Sequence, residues 1–256
     1  MTQELLDLAV RISREAGELL AARQGAAGAV TYKSSATDPV SEADKASERL
    51  ITTALGQARP DDGLLGEEGS DEGGTTGLRW VIDPLDGTVN YLYGMPAWSV
   101  SIACEDDDGA VIGVVHQPAA GLTFAAHRGH GATCNGRPLA VNDPVPLAHA
   151  LILTGFSYDV EQRKRQAAIV AEVLPQVRDI RRIGSAALDL CMVGAGMADA
   201  YYEDTTARWD WAAGALVAAE AGANVRVTGD ELVVAGPSLF PHFAAALDAA
   251  AGRTSS

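Results

Sequence analysis

The sequence predicts a layered α/β (α+β) chain with two sheets. Helical apolar periodicity opens the chain, its middle breaks into short β-rich runs set off by Gly, Asp and Pro, and its last part alternates helical and extended segments. The 256 residues, 47% hydrophobic and 21% charged, suffice for one large domain or two closely packed halves with a sizeable core.

From Leu5 through Leu8, Ile12, Ala16, Leu19 and Leu20 the apolar residues recur at helical steps, which describes an amphipathic helix. A second helix starts near Ser41, a capping residue, with Asp44 in its first turn ahead of Leu50 and Ile51. Extended runs over 78–82, 98–104, 111–116 and 122–126 read as a sheet with meander connections. Helix returns over 160–177 and 185–193, and 198–202 reads as a strand. Asp210 opens a helix that runs to Glu220, two strands follow at 223–227 and 231–235, and an Ala-rich helix over 238–251 closes the chain. There is no internal repeat or low-complexity linker. A soft boundary near 144–146 separates an N-terminal α+β half, residues 1–146, from a C-terminal α/β half, residues 147–256, and the two are expected to form one compact unit.

Composition narrows the function. The three cysteines, Cys104, Cys134 and Cys191, lie far apart, so they suggest neither a disulfide framework nor a thiolate zinc site, and they read as small core residues in a reducing compartment. Glu4, Asp7 and Arg11 interrupt the layout of a secretory signal, and no apolar run approaches the length of a bilayer span, so a cytoplasmic protein is expected. The 34 acidic against 19 basic residues leave a formal charge of −15, which repels nucleic-acid phosphates and acidic membrane surfaces. An anionic substrate would need interposed cations, because bound metals invert the local electrostatics.

The most informative segment is Trp80-Val81-Ile82-Asp83-Pro84-Leu85-Asp86-Gly87-Thr88, where an apolar strand runs into two carboxylates. The strand is expected to end at Asp83, because Pro84 lacks a ladder donor, and Gly87 permits a tight turn that lets Asp83 and Asp86 converge. Converging carboxylates suit hard divalent ions such as Mg²⁺, to which the Leu85 carbonyl adds a donor, and the amides of Gly87 and Thr88 at a helix start would cradle phosphate. Alone, the D-x-x-D spacing is a weak signal that reads more readily as a turn with an Asp cap. Gly66-Glu67-Glu68-Gly69, after Leu64-Leu65, places two more carboxylates on a glycine-flexed strand end, or else in a solvated acidic loop. Trp209-Asp210-Trp211 puts Asp210 at a helix start, as a ligand or as an N-cap. The run from Glu105 to Asp108 reads as a solvated hairpin turn.

Taken together, the segments WVIDPLDGTVNYLYGMPAWSVSIA from Trp80 and WDWAAGALVAAEAGA from Trp209 resemble the two signatures of the inositol monophosphatase family of Mg²⁺-dependent, lithium-sensitive phosphatases. The resemblance extends to Lys33-Ser34-Ser35 with the stretch from Asp38 to Asp44, to Glu67-Glu68, to Arg182-Ile183-Gly184-Ser185-Ala186-Ala187 and to Tyr201-Tyr202-Glu203, in order along nearly the whole chain. It implies the αβαβα sandwich of the sugar phosphatases. It further implies that Glu67, Asp83 and the Leu85 carbonyl hold one Mg²⁺, that Asp83, Asp86 and Asp210 hold a second, and that a weaker third ion sits near Glu67. Thr88, oriented by Asp44, would position the attacking water, so Glu67, Thr88 and Asp44 are the catalytic candidates. Glu68 and Lys33 would stand behind these groups. Gly87, Thr88, Gly184, Ser185, Ala186, Glu203 and Asp210 would meet the substrate, with Glu203 accepting hydrogen bonds from ring hydroxyls.

The resemblance therefore implies in-line hydrolysis of myo-inositol monophosphate without a covalent intermediate, by a homodimer; the acidic charge balance adds the expectation that it binds neither nucleic acid nor membrane. Asp204, Thr205 where the family frequently has glycine, and Val89 where many members have threonine depart from the pattern and bear on the substrate more than on the chemistry. Histidinol phosphate, other sugar or nucleotide phosphates, and a non-catalytic role in RNA-related machinery are the competing readings.

Overall fold

In the computed structural model, which describes residues 2–25, 30–32 and 39–252, the amphipathic N-terminal segment is helix α1 (Thr2–Arg23). A two-stranded antiparallel ladder, β1 (Val30–Tyr32) with β2 (Pro39–Ser41), leads into α2 (Glu42–Ala58). Then come β3 (Gly63–Gly66), β4 (Asp71–Glu72), β5 (Arg79–Asp86), the short α3 (Thr88–Leu92), β6 (Ser99–Asp106), β7 (Gly109–Gln117), β8 (Leu122–His127), β9 (Gly131–Cys134) and β10 (Arg137–Pro138). The rest of the chain forms β11 (Leu151–Thr154), α4 (Val160–Val173), β12 (Asp179–Arg181), α5 (Ala186–Gly194), β13 (Ala200–Glu203), α6 (Arg208–Glu220), β14 (Asn224–Thr228), β15 (Glu231–Ala235) and α7 (Phe240–Ala250).

Strands β3 to β10 make one eight-stranded sheet in the order β10-β9-β8-β7-β6-β5-β3-β4, antiparallel except for the parallel pair β3/β5. A five-stranded sheet, ordered β12-β11-β13-β15-β14, is parallel around β11 and antiparallel beyond β13. The inner strand β11 and the edge strand β12 lie outside the extended runs expected from the sequence.

Strand alternation divides the side chains between layers. Trp80, Ile82, Ile102 and Cys104 point to α1 and α2, where they pack with Leu5, Ile12, Ile51 and Leu55. The intervening Val81 and Ala103 point the other way, onto α5 and α6 through Leu188, Ala213 and Val217. The opposite faces of those helices, with Leu190, Val193 and Ala218, cover Leu153, Tyr201, Leu232 and Val234 of the second sheet. That sheet's outer side packs against Ile169 of α4 and Phe243 and Leu247 of α7. The order is thus helix, sheet, helix, sheet, helix, the expected αβαβα sandwich. Helices α5 and α6 are buried nearly all round, as central-layer helices must be. Gly214 lets them approach, since a Cβ there would stand 2.8 Å from the Leu190 Cβ and 2.9 Å from the Ala187 carbonyl oxygen.

Glu105 corrects an expectation. Instead of sitting in a solvated turn it is the buried end of β6, bound by Arg79 on one oxygen and Arg208 on the other, each at 2.5 Å. Two guanidinium groups replace its water, a partner set that a local charge run does not reveal. No helix among the described residues is long and apolar enough to cross a membrane.

Candidate active site

The ladder between β5 and β6 pairs Asp83 with Ser101, breaks, and resumes with Asp86 opposite Ser99. Pro84 and Leu85 form the irregularity, so the strand continues to Asp86 instead of stopping at Asp83 as expected; a bulge accommodates the residue without a donor. It brings Asp83, Leu85 and Asp86 to one cavity of about 410 Å³, and Glu67 and Asp210 line the same cavity. Glu67 arrives as the first residue beyond β3, its amide donating to the Ile82 carbonyl at 3.2 Å. Asp210 is the third residue of α6 and not its N-cap; its Oδ2 accepts from the Ala207 amide at 2.6 Å.

Helix α2 braces this side through residues spaced on one face, Asp44, Ser47 and Glu48, all buried. The Thr88 hydroxyl lies 3.0 Å from Asp44 Oδ1 and 3.1 Å from the Leu85 carbonyl, and donates its single proton to one of them. Ser47 donates to the Pro84 carbonyl at 2.8 Å. Glu48 accepts from the Glu68 amide at 2.8 Å, from the Ser70 amide at 3.2 Å and from the Ser70 hydroxyl at 2.7 Å, fixing the turn that carries Glu67.

The second half of the chain holds Asp86 from the opposite side. Ser185, the N-cap of α5, donates to Asp86 Oδ2 at 2.5 Å, and the Ala187 amide donates to the same oxygen at 2.8 Å. Gly87 turns the chain with φ of 90°; a Cβ there would meet the Ala97 and Gly184 carbonyls at 2.9 and 3.0 Å, so the approach of the two loops requires glycine.

Burial and mutual repulsion dominate the electrostatics. Asp83 is pushed well above the usual carboxylate range by desolvation first, then by the charges of Glu67, Asp86 and Asp210. Burial lifts Asp86 to about 6, against the hydrogen bonds from Ser185 and Ala187 that pull it down. Asp210 is raised by burial, then by Glu67 and Asp86. Among the described residues no three acidic side chains close into a ready-made metal cage. They ring the cavity instead, and this set of hard oxygen donors, desolvated and held close against its own repulsion, fits a divalent cation of the Mg²⁺ or Ca²⁺ kind.

Glu203 ends β13 on the far wall, its Oε2 accepting from the Tyr201 hydroxyl at 2.6 Å, and burial lifts its carboxyl to about 7. It lies against Gly155, where any Cβ would collide with the carboxylate. Gly184, Ser185 and Ala186 line the wall between Asp86 and Glu203. Thr205, also on the wall, has φ of 68°, the left-handed region that favours glycine. Among the sequence-predicted residues, Asp44 and Glu68 stand behind the lining, and Lys33 lies outside the described residues. Sequence reasoning gave no role to Glu48, Gly155, Arg182 and Asp189, although Glu48 stands one helical turn beyond Asp44 and Arg182 heads the matched segment 182–187.

Residues 1–250 match the family model described as the inositol monophosphatase family. The chain is similar to an inositol-1-monophosphatase of Mycobacterium leprae (strain TN), 50% identical over 215 residues that make up 78% of this chain and 72% of the relative. It is 38% identical over 246 residues, 92% of each chain, to the Nus factor SuhB of Pasteurella multocida (strain Pm70). The crystal structure of the extragenic suppressor protein suhB from Bartonella henselae superposes with a TM-score of 0.90 at 34% identity, covering 95% of this chain and 98% of the other.

Proposed function

The chain belongs to the inositol monophosphatase family, and we propose that it is a Mg²⁺-dependent phosphomonoesterase that hydrolyses myo-inositol monophosphate to myo-inositol and phosphate. The observation that carries this reading is the ring of four carboxylates, Glu67, Asp83, Asp86 and Asp210, around one cavity, the three aspartates desolvated.

In this reading Glu67, Asp83 and the Leu85 carbonyl would hold one Mg²⁺, Asp83, Asp86 and Asp210 would hold a second, and Glu67 would help hold a weaker third. Bound Mg²⁺ supplies positive charge that offsets the carboxylates and the substrate phosphate, and makes water acidic enough to attack at neutral pH. Thr88 gives its hydroxyl proton to Asp44 or to the Leu85 carbonyl, which leaves an Oγ1 lone pair to accept a proton of the attacking water and fix its orientation. Asp44, fully buried, sets that direction. The amides of Gly87 and Thr88 take phosphate oxygens, Gly184 to Ala186 flank the ring, and Glu203 accepts from its hydroxyls. In this reading no covalent phospho-enzyme forms, because bound Mg²⁺ would activate water as the nucleophile for in-line attack.

The likeness to the Nus factor SuhB of Pasteurella multocida favours a second reading, a role in partner binding beside catalysis. The complete acidic set places the enzymatic reading first.

Phosphate release from myo-inositol phosphate, histidinol phosphate, fructose bisphosphate and adenosine bisphosphate, with Mg²⁺, with EDTA and with added Li⁺, tests the proposal. Inositol phosphate should be preferred, EDTA and Li⁺ should suppress turnover, and Asp83→Asn should lower kcat at least roughly a hundredfold. Near-normal turnover by Asp83→Asn, or a large preference for histidinol phosphate, overturns the corresponding half of the reading.

A further inference from the structure

Among the described residues lining the cavity, Arg182 is the one cation. It is exposed, and among the described residues it has neither a hydrogen bond nor an ion pair. Its position is nevertheless built. The guanidinium folds over Gly184, with Nη1 only 2.5 Å from the place a Cβ would take, so glycine there gives Arg182 its room as Gly155 gives Glu203 its own. The two charges are felt across the cavity, since Arg182 pulls the carboxyls of Glu203 and Asp189 down against the stronger effect of burial. Asp189 is 1% exposed and leaves Oδ1 without a hydrogen-bond partner among the described residues, so the wall behind Arg182 is acidic too.

Without Arg182 this end of the cavity would attract an ammonium group. With it, a donor and an acceptor face the same space without closing on each other. We propose that Arg182 and Glu203 form a two-sided clamp for a pair of neighbouring hydroxyls, the guanidinium donating to one and the carboxylate accepting from the other, and that the guanidinium charge excludes phosphorylated alcohols carrying an amine. This rests on the cavity being the phosphatase site, and it names the substrate class within that reading: uncharged polyol phosphates.

The test compares wild type, Arg182→Gln and Arg182→Lys, all Mg²⁺-loaded, on myo-inositol 1-phosphate and histidinol phosphate. A charge-assisted hydrogen bond at a partly exposed site leads us to expect about a tenfold rise in KM for inositol phosphate in Arg182→Gln, with kcat little moved. The same variant should gain kcat/KM on histidinol phosphate, so the ratio between substrates narrows from both ends. Arg182→Lys, which keeps the charge but not the guanidinium geometry, should still reject the amine. The proposal is overturned if Arg182→Gln leaves the ratio unchanged, or lowers both substrates equally as a structural defect would. A wild type that turns over neither substrate overturns the phosphatase reading instead; equilibrium binding of the same two ligands then decides the clamp, which fails if Arg182→Gln alters neither affinity.

Discussion

Withdrawing and restoring Mg²⁺ across pH tests the electrostatic account of the cavity. Asp86 is held at about 6 against its ordinary 3.8, and Asp83 and Asp210 are raised as well, all chiefly by burial. Each therefore binds its proton more tightly in the folded chain than in the unfolded one. The stability this brings is fully present below the unfolded value and is lost as pH rises through the folded value, for Asp86 between about 3.8 and 6. Above that window the ionisation of Asp86 alone costs folding about 3 kcal/mol, at about 1.36 kcal/mol for each tenfold step. A divalent ion takes the place of those protons, and at a hundredfold excess over its dissociation constant it returns about 2.7 kcal/mol. For a chain of this size that amounts to a rise in Tm of roughly 5–10 °C. The assay is thermal unfolding of EDTA-treated protein with and without saturating Mg²⁺, at about pH 5 and about pH 8. The stabilisation should be large at the higher pH and small at the lower, where protons already hold the carboxylates. Equal shifts at both, or a larger one at low pH, would refute the idea that one set of buried carboxylates takes up both protons and metal.

Two more substitutions probe the supports of the site. Glu48→Ala removes the acceptor of three donors in the 66–70 turn, so the Mg²⁺ concentration for half-maximal activity should rise at least about tenfold; a lowered Tm with an unchanged Mg²⁺ requirement would show that Glu48 merely stabilises. Glu203→Gln keeps an acceptor for Tyr201 but cannot ionise. Because folding lifts Glu203 from 4.5 to about 7, wild type loses stability as pH rises through that window. The variant should melt higher than wild type above it, by up to about 3 kcal/mol, and the two should converge near the lower end while KM for inositol phosphate rises. Melting curves that keep a constant spacing across pH would sink this account.

Most of the layering was legible because it depends on local periodicity. The apolar steps in α1, the alternation in β6 to β8 and the all-round apolar character of α5 and α6 each state how many faces an element buries. The element ends were less legible. A proline with no ladder donor argued for a break at Asp83, yet β6 supplies Ser99 to pair with Asp86, and the partner strand decides that a bulge forms. The short run Leu151–Thr154 carries no alternation, and it becomes an inner strand only because β12 and β13 flank it.

The site divides along the same line. Asp83, Asp86, Thr88 and Asp210 stand in segments whose own residues signal a strand end or a helix start, so their places could be read locally, while their joint chemistry was implied by the family resemblance. Glu48, Gly155 and Arg182 acquire meaning only from distant neighbours: the turn at Glu68 and Ser70 for the first, the carboxylate of Glu203 for the second, and Glu203 across the cavity for the third. In sequence, Asp44 and Glu48 look like the polar face of an amphipathic helix. In the fold that face is buried, because Thr88 at the start of α3 and the 66–70 turn present hydroxyl and amide donors to it. A buried carboxylate with its donors in place is a device for holding backbone, and here the backbone it holds carries Glu67 to the cavity. On the proposed reading, the parts that aim the carboxylates and choose among substrates are therefore tertiary, and the substrate class would be decided at Arg182 and Glu203, outside both signature segments.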